Sequence, residues 1–299
     1  MAAEKKRGPG RPPSKPAAPA IERRGIVDSP DDPLNRLEFA FEDPMAFKLL
    51  FAYFKNLRAR EIHLRCRPDG LTFFARDHTK TSRVVAHVAG RHVNWHYCEG
   101  EFWLGVNRDQ FESMFAGIDK TLFKVSIRQT ADDPHSLTFV FKDPELEKEN
   151  YYKMTLSTYP RDEELYEAEA ALTPAQLAAY PVEFTLGAKQ FKKTVGDAAK
   201  YSDVITIEKL GDHPLQFTYS QANVVYHEVY RSAEKISLRS AVAPGAAFHT
   251  TVKIDNLKSL AAAMVADDLR ILCREGGDMV FRSAFEGKAL VVSTLTGTE

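Results

Sequence analysis

The stretch VKIDNLKSLAAAMVADDLRILCREGGDMVFRSAF, Val252 to Phe285, decides the fold. Leu257, Leu260, Ala261 and Met264 recur at i, i+3, i+4 and i+7, which makes one apolar face of a helix. Two strand-like runs follow, Leu269–Arg274 and Met279–Phe285. Between them Gly276-Gly277-Asp278 supplies the positive φ that a hairpin turn needs. The unit therefore reads helix, strand, turn, strand.

Three further copies of this unit stand upstream. Phe47, Leu50, Phe51 and Phe54 precede REIHLRCR and LTFFARD. Phe111, Met114, Phe115 and Ile118 precede LFKVSIRQ and LTFVFKD. Phe191, Thr194, Val195 and Ala198 precede SDVITIEK and LQFTYSQ. From the first anchor of each helix to the leading apolar residue of its second strand (Leu71, Leu137, Leu215, Met279) the separations are 24, 26, 24 and 22 residues. A near-constant period of this kind indicates repeated architecture. The expected fold class is α+β, with two similar domains, each carrying two helices packed on antiparallel sheet.

A chain of 299 residues has room for two domains, and four units divide into two pairs. Hydrophobic residues make up 44% and charged residues 27%, ordinary proportions for a globular protein. No apolar run approaches the roughly 20 residues needed to span a bilayer, so no membrane partner is expected. Cys66, Cys98 and Cys273 form no C-x-x-C pair, which argues against a disulfide framework and for a reducing, intracellular setting.

The net charge of −1 hides a segregation. Residues 1–25 hold seven Lys or Arg against two Glu, a sum of +5, so residues 26–299 carry −6. Residues 1–35 are rich in Pro, Ala, Lys, Arg and Asp and are expected to be a disordered basic tail. Within it, KKRGPGRPPSK centres on Gly10-Arg11-Pro12. That segment resembles an AT-hook, in which arginine enters a narrow minor groove. A basic tail for nuclear import or loose phosphate attraction is the alternative reading.

The remaining boundaries follow from pattern. The N-terminal domain is expected over 36–156, with an opening strand at Leu37–Phe41, a helix from Asp43-Pro44 to about Arg60, and a second helix Arg108–Ile118 capped by Asn107. Strands are expected at Ser82–Ala89, His92–Tyr97, Glu101–Val106 and Tyr151–Leu156. Residues 157–181 break the pattern. They are acidic (Asp162, Glu163, Glu164, Glu167, Glu169) and read as a connector with a helical turn at Thr173–Ala179. The C-terminal domain, 182–299, repeats the first.

Catalytic signatures are missing: the sequence has no P-loop, no G-x-G-x-x-G after a strand and no G-x-S-x-G. The one metal-like cluster, His92, His96 and Cys98, falls in an expected strand, unlike the helix or finger settings of H-x3-H ligands, so neither metal nor cofactor is expected. What the helices do carry is lysine. The residue after the first anchor is Lys48, Glu112, Lys192 and Lys258 in turn. Lys55 lies two turns below Lys48; Lys189, Lys193 and Lys200 extend the third helix; Lys253, Arg58, Arg108 and Lys120 flank helix ends. Basic helix faces on an acidic body suit a polyanion. Without interleaved aromatics, sequence-independent phosphate contact with duplex DNA is the better expectation.

These residues resemble the DNA sliding clamps of the proliferating cell nuclear antigen type. LTFFARDHTKTSRVVAHV, FWLGVNRDQFESMFAGIDKTLFKVSI and KENYYKMTL are similar to that family's segments over about Leu37–Glu299. The GPGRPP tail and FKNLR helix are similar to the clamp-like proteins of large DNA viruses related to African swine fever virus. The resemblance implies a non-enzymatic processivity factor: a homotrimer closed head to tail around duplex DNA, tethering a DNA polymerase and other replication or repair proteins, in a nucleus or a viral replication factory. The hole-lining positions it implies are Lys48, Lys55, Lys193 and Lys258. It implies a subunit contact between Tyr151–Leu156, with Tyr151, Lys153 and Thr155, and the next chain's Lys235–Ser240, with Lys235, Ser237 and Arg239. It also implies a partner groove between connector and C-terminus, for which Leu165 and Leu295 are the candidates. Val292–Gly297 lacks the aromatic and Ala-Pro of the usual groove. A monomeric clamp-fold DNA binder and an AT-hook-driven architectural protein are the competing readings.

Overall fold

A computed structural model describes residues 25–41, 54–116, 124–143, 147–158, 163, 166, 173–231, 236–263, 268–285 and 289–295. Its strands form three sheets. The first runs β1 (Gly25–Ile26), β6 (Trp95–Cys98), β2 (Asn35–Phe41), β8 (Lys124–Thr130), β9 (Ser136–Asp143), β10 (Lys148–Thr155). The second runs β15 (Ile236–Ser240), β11 (Val182–Gly187), β17 (Asp268–Cys273), β18 (Met279–Phe285), β19 (Ala289–Leu295), β5 (Ser82–Ala89), β4 (Gly70–Arg76), β3 (Glu61–Arg67), β7 (Phe102–Asn107). The third runs β14 (Val224–Tyr230), β13 (Leu215–Gln221), β12 (Val204–Leu210), β16 (Ala247–Lys253). The described helices are α1 (Arg108–Ala116), α2 (Pro174–Ala178), α3 (Ala188–Ala198) and α4 (Ile254–Ala263). A helical turn also covers 54–56, the end of the helix expected first.

The repeat expected from sequence is present in the strand order. In the N-terminal half, β6-β2-β8-β9-β10 forms one set and β5-β4-β3-β7 another. In the C-terminal half, β15-β11-β17-β18-β19 and β14-β13-β12-β16 repeat both orders. The halves are joined where β19 pairs antiparallel with β5, Leu295 opposite Ser82 and Ala289 opposite Val88. One continuous sheet therefore crosses the domain boundary.

Local chemistry explains the elements. Gly276 and Gly277 hold φ of 84° and 86° in the β17–β18 turn, the left-handed geometry a Cβ disfavours. Asn107 caps α1, its Oδ1 accepting from the amides of Asp109 (3.0 Å) and Gln110 (3.2 Å). Thr173 caps α2 within the connector, with Pro174 in the first turn. The apolar faces meet as the spacing predicted: Phe191 of α3 packs on Phe281 of β18 at 5.8 Å, and Phe54 on Phe73 of β4 at 6.3 Å. All four rings are buried. The helices thus cover one face of the long sheet. On its other face Phe74 packs against Trp103 and the connector's Tyr166.

Two expectations change. Residues 25–35, read as part of the tail, belong to the domain: β1 pairs parallel with β6, and Asn35 opens β2 with its side chain buried. His92 is not in a strand. It ends a 3-10 turn, Gly90–His92, and accepts from Arg91, whereas His96 is buried in β6 with Nε2 2.7 Å from the Arg67 carbonyl oxygen. The two imidazoles are thus committed separately, and burial pushes His96 below its usual range. Among the described residues no group of metal-ligating side chains forms. Residues 1–24 lie outside the described residues.

Candidate nucleic-acid interface and open sheet edges

Amphipathic spacing fixes which way α3 presents its lysines. Ala188, Phe191, Thr194, Val195 and Ala198 are buried, which leaves Lys189, Lys192, Lys193 and Lys200 exposed. The helix packs alongside α4, whose Leu257 and Leu260 are buried and whose Lys258 is exposed. Lys253 is exposed at the end of β16, just before α4. Lys192 and Lys258 therefore lie on adjacent helices, both away from the sheet.

Neighbouring carboxylates sort these cations. Lys55 is held by Glu112 at 2.7 Å, Lys200 by Asp197 at 2.6 Å and Lys258 by Asp255 at 3.3 Å. Arg108 pairs with Asp109 and its side chain is only 17% exposed, so it braces the helix end and presents little charge. Lys189, Lys192, Lys193, Lys253 and Arg58 make no ion pair among the described residues. Among the cations the sequence singled out, unpaired charge is thus densest on α3. Lys48, Lys120 and Arg11 lie outside the described residues.

A polar network ties α3 to the edge strand β14. Gln190 and Thr194 donate to Glu228 Oε1 at 3.0 and 3.1 Å, and the Tyr230 hydroxyl donates to the same oxygen at 2.7 Å. Burial pushes the Tyr230 phenol up to about 12. The basic helix and the edge strand therefore move as one piece.

Two end strands, β10 of the first sheet and β14 of the third, carry most of the exposed apolar residues found on sheet edges. Of ten exposed large hydrophobic residues among those described, five stand on two edges: Tyr151 (64%) and Tyr152 on β10, and Val224, Val225 and Val229 on β14. Exposed apolar edges invite pairing with another chain unless covered. The sequence pointed to β10 through Tyr151, Lys153 and Thr155, and did not single out β14. Lys153 is paired with Asp133 at 2.5 Å. Ser237 and Arg239 stand on β15, and Arg239 is engaged by Glu183 within its own sheet at 2.7 Å. Lys235 lies outside the described residues.

The partner-groove expectation also changes. Leu295 is 2% exposed and lies in the main core beneath the helices, so it lines no groove; Leu165 lies outside the described residues. On the opposite face, Val292 packs with Leu272, Val280 and the connector's Leu177, flanked by Tyr180. Tyr166 stacks on Trp103 at 4.0 Å beside Phe74 and Val85. The connector is pinned to the outer sheet at these two points.

Comparison with known proteins agrees with this architecture. Residues 36–165 match the family described as proliferating cell nuclear antigen, N-terminal domain. The chain is 43% identical over 298 residues to the uncharacterized protein E301R of African swine fever virus, both in the Kenyan isolate KEN-50 and in the Badajoz strain. The alignments cover 99% of this chain and 98% of the relative. The crystal structure of the proliferating cellular nuclear antigen of Entamoeba histolytica superposes with a TM-score of 0.73 at 13% identity, covering 89% of this chain and all of that one. With its duplicated strand order, its single sheet across two halves and these likenesses, the chain belongs to the proliferating-cell-nuclear-antigen type of clamp proteins, in the branch that includes E301R.

Proposed function

We propose that three copies of this chain close head to tail into a ring, that duplex DNA passes through it along the lysines of α3 and α4, and that the ring tethers a DNA polymerase and other replication or repair proteins. It is a scaffold and catalyses no reaction. The observation that carries this reading is the pair of open edges. Inside the chain β19 joins β5. By the repeat, β10 is the counterpart of β19, and β14 the counterpart of β5. One chain thus ends in two halves of a joint that it already makes once internally. A heterologous contact of that kind builds a ring when its rotation closes.

The repeat also supplies a register. Leu137 and Met279 are equivalent, and they pair with Met154 and Leu295. Leu71 and Leu215 are equivalent, and they pair with Val88 and Tyr230. Carrying the internal pairing of Leu295 with Ser82 across these equivalences sets Met154 opposite Val224 and Tyr152 opposite Tyr226 of the next chain. Tyr226 already stacks with Tyr201 at 4.5 Å and Tyr219 at 5.4 Å, and Tyr152 extends that array. This replaces the pairing with Lys235–Ser240 expected from sequence. That strand is the counterpart of β6, whose outer edge β1 covers in the first half.

Light scattering tests the assembly. Three chain masses at micromolar concentration are expected for the native protein. A single chain mass there removes the ring and leaves a monomeric clamp-fold DNA binder. The basic tail is expected to add nothing to the ring: removing residues 1–24 leaves the mass at three chains, and an unchanged duplex affinity removes the AT-hook reading.

A further inference from the structure

We propose that a cavity in the N-terminal half, beside its junction with α4, is a phosphate-binding site, which holds the backbone of nucleic acid where it leaves the ring. This rests on the reading that DNA follows the helix face. The cavity, about 230 Å³, opens between the turn after the first helix and the β4–β5 loop. Among the described residues Arg58, Arg60, Arg76 and Lys80 line it with two carboxylates, Glu61 and Asp77, and two histidines. Arg58, Arg60 and Lys80 are exposed and make no ion pair among the described residues.

Asp77 is occupied with its own loop. It accepts from the hydroxyls of Thr79 and of Thr81 (3.1 Å) and from the Ser82 amide (3.0 Å). It therefore shapes the loop that carries Lys80 while offering the cavity little free acceptor capacity. Arg58 and Lys80 hold φ of 58° and 61°; only Glu147 and Ala222 share that left-handed backbone among described non-glycine residues. Side chains rarely adopt it without a reason in the surrounding structure. Here both strained residues place cations in one cavity.

The lining separates a phosphodiester from a docked peptide. Among the described residues no apolar side chain lines this cavity, and peptide anchors need apolar walls. A second cavity, about 400 Å³, shares Arg58, Asp77 and His78 and reaches Lys258 at the start of α4. Arg58 and Lys258 stand there with Asp77 and Asp255, so the second cavity links the cationic one to the helix face without adding net charge among the described residues.

The test compares Arg60→Glu/Lys80→Glu with Lys192→Glu/Lys193→Glu in the full chain, each checked by its melting temperature. Binding of a labelled duplex of about 30 base pairs is titrated across salt. Arg60→Glu/Lys80→Glu is expected to weaken binding about tenfold and to flatten the salt slope by about two, near one per lost phosphate contact. Arg60→Gln/Lys80→Gln should give a smaller loss in the same direction, and it decides the matter if the reversal fails to fold. An unchanged slope in both cavity variants, with a reduced slope for the α3 variant, overturns the cavity site and keeps DNA on the helices. Unchanged slopes throughout overturn both. Loss of binding to a labelled Glu-rich peptide, or of thermal protection by inorganic phosphate, with the DNA slope intact, reassigns the cavity and overturns the proposal.

Discussion

Glu183 shows how a single carboxylate organises a charged sheet face. It accepts from Arg270, and from Arg239 at 2.7 Å, with its side chain 12% exposed. Arg270 first, and Arg239 after it, hold its carboxyl below the usual range. Because the folded value is depressed, the stabilisation is present above the unfolded value and is lost as pH falls through the folded one. Both guanidinium groups are about half exposed, so solvent screens the pair. Glu183→Gln is expected to cost about 1–2 kcal/mol at neutral pH. In urea unfolding its deficit should begin to shrink as pH falls below the ordinary carboxylate value of about 4.3, where the unfolded chain's carboxyl takes up its proton first, and should be gone only below the depressed native value. The thiols give a second residue-scale outcome. Burial pushes Cys66 and Cys273 up, and Cys98 to about 11, its Sγ lying 2.9 Å from the Gly100 carbonyl oxygen. At neutral pH none of the three should react with a thiol reagent until the protein is denatured.

At the scale of elements, α3 and α4 differ in a way their lysine counts conceal. Lys192→Glu with Lys193→Glu removes cations that no carboxylate offsets, so duplex binding should weaken and its salt dependence flatten by about two. Lys258→Ala should change that slope less, because Asp255 already offsets the charge. Equal effects in salt titrations would put the interface elsewhere. Among the described residues the sequence carried α1, α3, α4, the hairpins, the Asn107 cap and the connector helix clearly, because period and turn chemistry are local, while the Asp43-Pro44 cap lies outside those residues. The long-range ion pair was not legible, whereas Lys200 with Asp197 and Lys258 with Asp255 are i, i+3 neighbours that sequence can show. Glu112 stands 57 residues from Lys55, and only the fold brings the two together. Nor was the position of Leu295: Ala289–Leu295 is apolar at positions on both faces, so alternation could not say which face meets the core. The joint proposed here uses a different edge strand from the one the sequence pointed to, for a related reason. Strands β14 and β15 both alternate, and only the order of strands in the sheets tells which is the counterpart of β5.

For the whole molecule, the decisive prediction concerns the open edges. Tyr152→Glu with Val225→Glu places like charges near the proposed seam, one on each side of it, on residues exposed in the single chain. Light scattering should then report one chain mass, while circular dichroism and melting stay close to the native protein. A particle that remains three chains in mass would show that assembly uses another surface. Loss of fold would show instead that these edges belong to the chain's own core.

The sheet shared between the two halves has a mechanical consequence. Seven residue pairs bind β19 to β5, and the polypeptide itself passes from one half to the other through a connector riveted at Tyr166 and Leu177. Each chain is therefore a stiff strut, and in the proposed ring compliance is left to the seams between copies. Opening the proposed ring to admit DNA would then mean prising apart two copies, because bending one copy would tear a sheet down its middle.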